Sequence, residues 1–288
     1  MRKLSSICFG CEPLGGTDNG NFDFNALSKA VDTAIELGIN FFDTAGVYGL
    51  GLAEERLATI LGKRRHNMVI ATKGGLSWNN VKAGRAIIDR DSSRSAIRKD
   101  VESSLSRLKL ETLPIFFVHW PDEKVSLEET FTELNLLKNE GKIKERGCSN
   151  FNANQLEEAC KFYKVDYLQI PLNLFNKPLE ANISNICSKN KIKIIAYNTL
   201  ANGLLTGKLN RNSHFPVNDR RSRLSMFKGK NFIYSLEKIE KLKLEAASRN
   251  DNLLGYSINW VLNQNNVHSA IIGIKNHYQI KENYNSIY

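Results

Sequence analysis

At 288 residues, 42% of them hydrophobic and 24% charged, the chain has the composition of a folded, water-soluble protein. Its longest apolar run, residues 113–118, is far too short to cross a bilayer, and the first ten residues lack the apolar stretch of a secretory signal, so a cytoplasmic protein is expected and no membrane partner. The formal net charge of +10 is spread along the sequence without a clustered basic face interleaved with aromatics, which excludes nucleic acid as the expected partner.

Short β-like runs alternate with helical patterns from end to end. The first run, residues 5–10, leads into Cys8 and Cys11, a C-x-x-C. Five cysteines are odd in number and scattered, which argues against a disulfide framework. The strand-like context of the C-x-x-C, with no second pair nearby, disfavours a redox or metal site. Residues 26–38 carry Leu27, Ala30, Val31, Ala34 and Ile35 on one stripe and stop at Gly38, an amphipathic helix. Strands follow at 40–45, 67–73 and 113–120, separated by a serine-capped helix over 92–108. A helix over 126–141 opens with Ser126 three residues before Glu129, a capping-box spacing. The remaining strands fall at 145–150, 166–173, 192–198 and 269–274. These runs are continuously apolar, as strands buried on both faces are. Eight strands with helices between them predict an α/β fold, a single-domain (β/α)8 TIM barrel spanning 1–288; a doubly wound sheet would need a G-x-G-x-x-G turn after its first strand. Residues 201–232 form an unusually long connection, expected to be functional or mobile. It holds the densest basic cluster, Arg211, Arg220, Arg221, Arg223, Lys228 and Lys230, which reads as a solvated surface or as a funnel for an anionic ligand.

In such a barrel the C-terminal strand ends converge on one mouth. Asp43, Tyr48, Lys73 and His119 all sit at or just beyond those ends. An ammonium beside a phenol favours the phenolate and lowers its pKa, so Lys73 is expected to tune Tyr48, with Asp43 holding Lys73 in place. A neutral His119 is suited to orienting a substrate oxygen.

With "FFDTAGVYG", "ATKGG", "FFVHWPD", "GCSN", "YLQIPLN", "GLLTGK" and the final Q-x-x-E-N in this order, the sequence resembles the aldo-keto reductases over nearly its whole length. The resemblance implies hydride transfer from NADPH, with NADH possible as an alternative, to an aldehyde or ketone carbonyl of a small-molecule substrate. Tyr48 would be the general acid, Lys73 and Asp43 would set its pKa, and His119 would orient the carbonyl. It further implies that Ser149, Asn150 and Gln169 hold the nicotinamide carboxamide and that Tyr197 stacks on its ring. Leu200, Gly203, Leu205 and Lys208 would line the pyrophosphate, and Gly273, Lys275, Gln279, Glu282 and Asn283 the adenosine end. Asn198-Thr199 replaces the serine-proline usual after the stacking tyrosine. Gln279 stands where an arginine often clamps a 2′-phosphate, leaving Lys275 as the main local cation. The end at Tyr288 implies a mouth without the C-terminal overhang of many relatives. Selectivity would then rest on βα-loop residues Glu12, Trp78, Asn79 and Trp120, with Glu12 favouring a polar, sugar-like substrate. The family also includes slow-turnover, cofactor-binding regulatory subunits, the alternative to an enzyme. The sequence shows no added interaction segment that such a role calls for.

Overall fold

The computed structural model describes residues 2–82, 85–176 and 179–287, with side chains given outside 79–86. Strands β1 (Ile7–Gly10), β2 (Phe41–Asp43) and β3 (Val69–Gly74) open the sheet. A hairpin, β4 (Leu76–Lys82) and β5 (Arg85–Arg90), follows. Then come β6 (Leu113–Val118), β7 (Ile143–Ser149), β8 (Tyr167–Pro171), β9 (Lys193–Tyr197) and β10 (Val267–Gly273). All but the hairpin pair in parallel, in the order β1-β10-β9-β8-β7-β6-β3-β2, and β1 closes the ring on β2. The expected barrel is therefore present. The barrel strands are buried on both faces: Cys8, Phe41, Ala71, Phe117 and Ile195 fill the barrel, while Phe9, Phe42, Ile70 and Phe116 pack outward under the helices.

The helices are α1 (Phe24–Glu36), α2 (Leu52–Leu61), α3 (Arg94–Leu108), α4 (Leu127–Asn139), α5 (Ala153–Phe162), α6 (Ala181–Asn190), α7 (Gly229–Ser248), α8 (Leu253–Leu262) and α9 (His277–Asn285). Helix α1 starts at Phe24, two residues before the expected start at 26, because the Asp23 carboxylate accepts from the Ala26 amide. Ser126 caps α4 as its spacing predicts, but only half of the capping box forms: the Glu129 carboxylate accepts from the Arg94 amide at the start of α3 instead.

Two expectations about loops need correction. Trp78 and Asn79 are not loop residues but belong to strand β4, with Trp78 opposite Ile88; the Asn79 side chain lies outside the described residues. The 201–232 connection is not plain loop either. It contains three 3-10 turns, Ala201–Thr206, Arg220–Ser222 and Ser225–Phe227, and Phe215 meets Phe227 and Phe232 edge-to-face in a small core of their own. Among the described residues no helix is long and apolar enough to cross a membrane.

Candidate active site

The site begins where β2 and β3 end side by side. Register pairs Asp43 with Ala71, so Lys73, two residues on and pointing to the same face, reaches over to the carboxylate. Lys73 Nζ lies 2.6 Å from Asp43 Oδ1 and 2.8 Å from the Thr44 carbonyl oxygen. Both side chains are buried. The second carboxylate oxygen accepts from Gln169 Nε2 at 2.8 Å, so Asp43 links β3 to β8 across the mouth.

Tyr48 stands on a turn after β2 that cannot move far. Gly49, at φ 59°, lies so close to the 3-10 turn Glu12–Gly15 that a β-carbon there would sit 2.3 Å from the Gly15 carbonyl oxygen. This fixes the phenol ring with Lys73 Nζ 5.1 Å from its centroid and the His119 ring edge-on at 5.9 Å. The four residues expected at the strand ends thus share one cluster, with Asp43, Lys73 and His119 buried and Tyr48 half-buried above them.

Burial would lower the Lys73 ammonium, but Asp43, assisted by the Tyr48 phenol, more than offsets it and the pKa is raised. Burial pushes the Tyr48 phenol up, and the Lys73 charge only partly counters this. The expectation of a lowered phenol pKa is therefore corrected: desolvation exceeds the attraction of an ammonium already neutralised by Asp43. His119 is held well below the ordinary imidazole value by burial and by Lys73, so its ring is neutral as expected. Its Nδ1 is buried without a hydrogen-bond partner among the described residues.

The expected carboxamide residues continue this network. Asn150, in a left-handed conformation at the end of β7, donates to the His119 carbonyl oxygen at 3.0 Å and to Ser149 Oγ at 3.1 Å. The Tyr197 hydroxyl donates to Asn150 Oδ1 at 2.6 Å, which anchors that ring at the end of β9. The Ser149 hydroxyl accepts within this cluster and keeps its own proton to donate, and Gln169 keeps its carbonyl while its amide engages Asp43. A donor and an acceptor so placed suit a carboxamide, so the donor set fits a nicotinamide.

Further round the mouth, Lys208 pairs with Glu282, and the Gln279 side chain accepts from the Lys275 amide at 2.8 Å. Gly203, at φ 96°, and the exposed Gly273 leave their backbones open to close approach, and Asn283 is buried on α9. Leu200 packs part-buried against the core, and Leu205 is fully buried in the core of the long connection. Leu205 can therefore offer a ligand only backbone atoms.

The connection is tied down over the mouth by partners the sequence did not announce. Arg220 forms an ion pair with Glu12, and Arg223 another with Asp18. Asn19 forms an isolated bridge with Asp219, and Lys275 Nζ donates to the Asn19 carbonyl oxygen. Glu12 is thus half of a charge pair rather than a lone pocket carboxylate. Burial raises its pKa and Arg220 partly restores it. Trp120, exposed at the rim, lies under the Arg90 guanidinium of the hairpin at 5.3 Å.

Comparison with known proteins identifies the family. A sequence model described as Aldo/keto reductase family matches residues 6–288. Aldo-keto reductase YhdN of Bacillus subtilis (strain 168) is 30% identical, over 95% of this chain and 82% of that protein. The NADH-specific methylglyoxal reductase of Escherichia coli (strain K12) is 28% identical, over 97% of this chain and 89% of that protein. Among solved structures, the glycerol dehydrogenase AKR11B4 from Gluconobacter oxydans superposes with a TM-score of 0.89 at 34% identity, covering 99% of this chain and 87% of that one. The chain belongs to the aldo/keto reductase family, oxidoreductases that act on carbonyl and alcohol groups with a nicotinamide cofactor.

Proposed function

We propose that the protein reduces small, hydroxylated aldehydes or ketones with NADPH, Tyr48 serving as the general acid. The observation that carries this reading is the buried Lys73–Asp43 contact of 2.6 Å beneath the Tyr48 ring, with neutral His119 edge-on to that ring. A bound nicotinamide supplies hydride to the carbonyl carbon. Tyr48 donates its hydroxyl proton to the carbonyl oxygen, and burial keeps the phenol in the protonated form a donor needs. The phenolate left behind faces the Lys73 ammonium, which Asp43 keeps charged. His119, neutral, directs the carbonyl by hydrogen bonding. Ser149, Asn150 and Gln169 would orient the carboxamide, and Tyr197 would back the ring.

The cofactor preference follows from charge. Lys275 and Arg221 both lie within electrostatic reach of Asp219, two cations against one carboxylate. The surplus positive charge suits a 2′-phosphate. The substrate preference follows from the Glu12–Arg220 pair, whose field reaches Tyr48. A mouth lined by a charge pair favours hydroxylated substrates over plain aromatic ones. Two relatives, one named for methylglyoxal and one for glycerol, support a short polar substrate.

The test is Tyr48→Phe assayed beside the wild type on a panel of hydroxylated and aromatic aldehydes with NADPH and NADH. Turnover in the variant is expected to fall by about 10²–10⁴-fold, with cofactor affinity retained. Turnover within a few-fold of wild type would remove Tyr48 from the role. Equal rates for both substrate classes would remove the role given to Glu12 and Arg220.

A further inference from the structure

Behind the β3 strand end lies a second charge cluster, a buried carboxylate met by a part-buried arginine, that no step above uses. Thr72 precedes Lys73 and, by strand alternation, points out of the barrel toward the helices. Its hydroxyl donates to Glu54 Oε1 at 2.5 Å, and Arg107 Nε donates to Glu54 Oε2 at 2.5 Å. Glu54 is fully buried and belongs to the first turn of α2, while Arg107 comes from the last turn of α3. Three elements therefore meet on one carboxylate.

Arg107 also forms the floor of the Tyr48 turn. A β-carbon at Gly46 would lie 3.1 Å from an Arg107 terminal nitrogen, and one at Gly51 would lie 2.9 Å from its Cδ. The arginine thus lies against both glycines that bracket Tyr48. Backbone bonding from this turn to the Lys73 residue itself is weak, a single Gly46 amide to the Lys73 carbonyl oxygen at 3.4 Å. On the opposite side the turn rests on Gly15. The phenol's backbone is held between a backbone contact and the Arg107 side chain.

An ion pair on a buried carboxylate adds little net stability, because desolvation of the carboxylate cancels most of the attraction; its geometry is fixed by directional bonds. We propose that Glu54, Thr72 and Arg107 are positioning residues that set the distance between the Tyr48 hydroxyl and the Lys73 ammonium. Thr72 ties the strand carrying Lys73 to Glu54, and Glu54 ties Arg107 to the turn carrying Tyr48. This rests on the proposed role of Tyr48, and proton transfer is steeply sensitive to such distances, with about 1 Å of misplacement able to cost roughly 10²-fold in rate.

The experiment compares Thr72→Val, Thr72→Ser and Arg107→Lys with the wild type and with Tyr48→Phe, at a temperature where every variant is folded. Thr72→Val removes one hydroxyl at constant shape, and Arg107→Lys keeps the charge but loses the Nε donor and the fit against Gly46 and Gly51. Both are expected to lower kcat at least about ten-fold, shift the pH profile of kcat and raise its solvent deuterium isotope effect. Cofactor Kd is expected to stay within about two-fold, since that site lies on other strands, and Thr72→Ser is expected to restore kcat. Loss of stability alone moves neither the pH profile nor the isotope effect of the folded enzyme. If Tyr48→Phe is inactive while Thr72→Val and Arg107→Lys keep wild-type kcat and pH profile, the positioning role is wrong. If Tyr48→Phe retains turnover, the general-acid reading fails and the positioning role with it. Arg107→Lys decides the matter by itself should Thr72→Val not fold.

Discussion

Replacing Asp43 by asparagine tests the electrostatics of the site in the folded protein itself. The substitution keeps shape but leaves the Lys73 ammonium buried beside neutral groups alone, the Thr44 carbonyl oxygen, the Tyr48 hydroxyl and whatever the amide can offer. Removing one partner of a buried pair costs about 3–5 kcal/mol. An independent bound comes from titration. The stranded lysine can escape its penalty by losing a proton, which costs about 1.4 kcal/mol for each pH unit below its ordinary pKa near 10.4. At pH 7 that ceiling is about 4.6 kcal/mol and at pH 9 about 2 kcal/mol. In the wild type the Lys73 pKa is raised, so its stabilisation is fully present below the unfolded value and is lost only as pH climbs through the raised one. Between pH 7 and 9 this group leaves the wild type unaffected. In Asp43→Asn the pKa is depressed instead, the unfolded chain binds more protons, and stability rises with pH.

Urea unfolding of wild type, Asp43→Asn and Asp43→Asn/Lys73→Met at pH 7 and pH 9 reads this directly. The deficit of the single variant is expected to shrink by about 2–3 kcal/mol between the two pH values, and that of the double variant to be independent of pH. An equal deficit at both pH values would show that Lys73 does not carry a buried charge compensated by Asp43.

Other consequences are open to simpler measurements. His119, held neutral by burial and Lys73, is expected to give imidazole NMR resonances that stay flat from pH 8 to about 5.5; its stabilising neutrality is present above its unfolded value near 6.5 and is lost as pH falls below it. A midpoint near 6.5 would place the ring in solvent. Gly49→Ala puts a β-carbon 2.3 Å from the Gly15 carbonyl oxygen at a positive φ, so a loss of about 1–3 kcal/mol in urea unfolding is expected, together with lower kcat as the Tyr48 turn shifts. Burial raises the Asp100 carboxyl to about 6, with the Gly75 amide partly opposing it. Its folded pKa lies above the unfolded one, so stability falls as pH rises from about 4 to 6 and the deficit persists above. Asp100→Asn is expected to gain about 1–2 kcal/mol at pH 7.5 and nothing at pH 4, a difference that urea unfolding at the two pH values would detect.

The barrel and the four clustered side chains were legible because the signals are local. Apolar runs of strand length end on chemistry-bearing residues, and the barrel's topology brings all such ends to one mouth. The β4–β5 hairpin was not legible, since its strands are neither continuously apolar like Phe116 and Phe117 nor regularly alternating; they pair with each other outside the barrel. The Glu12–Arg220 pair was hidden by 208 residues of separation, and nothing in either neighbourhood names the other. The direction of the Tyr48 shift is illegible in the sequence for a different reason. Proximity to a lysine can be inferred from strand register, but how far burial outweighs it depends on packing around the ring.

Glu54 and Arg107 mark where that limit has consequences. A glutamate in the first turn of a helix and an arginine in the last turn of another each have a sufficient local explanation, because both complement the helix dipole. Reading each alone leaves two solvated surface charges. Packing of α2 against α3 instead seals the Glu54 carboxylate and lays the arginine under Gly46 and Gly51. The same physics governs Asp43 and Lys73 on the inner face of the same strand end: a charge removed from water must be met by an opposite charge in fixed geometry. Two such pairs on opposite faces of one β3 residue pair, Thr72 and Lys73, leave the strand end little freedom to rotate. The inner pair sets the charge beside the phenol, and the outer one sets where the phenol stands.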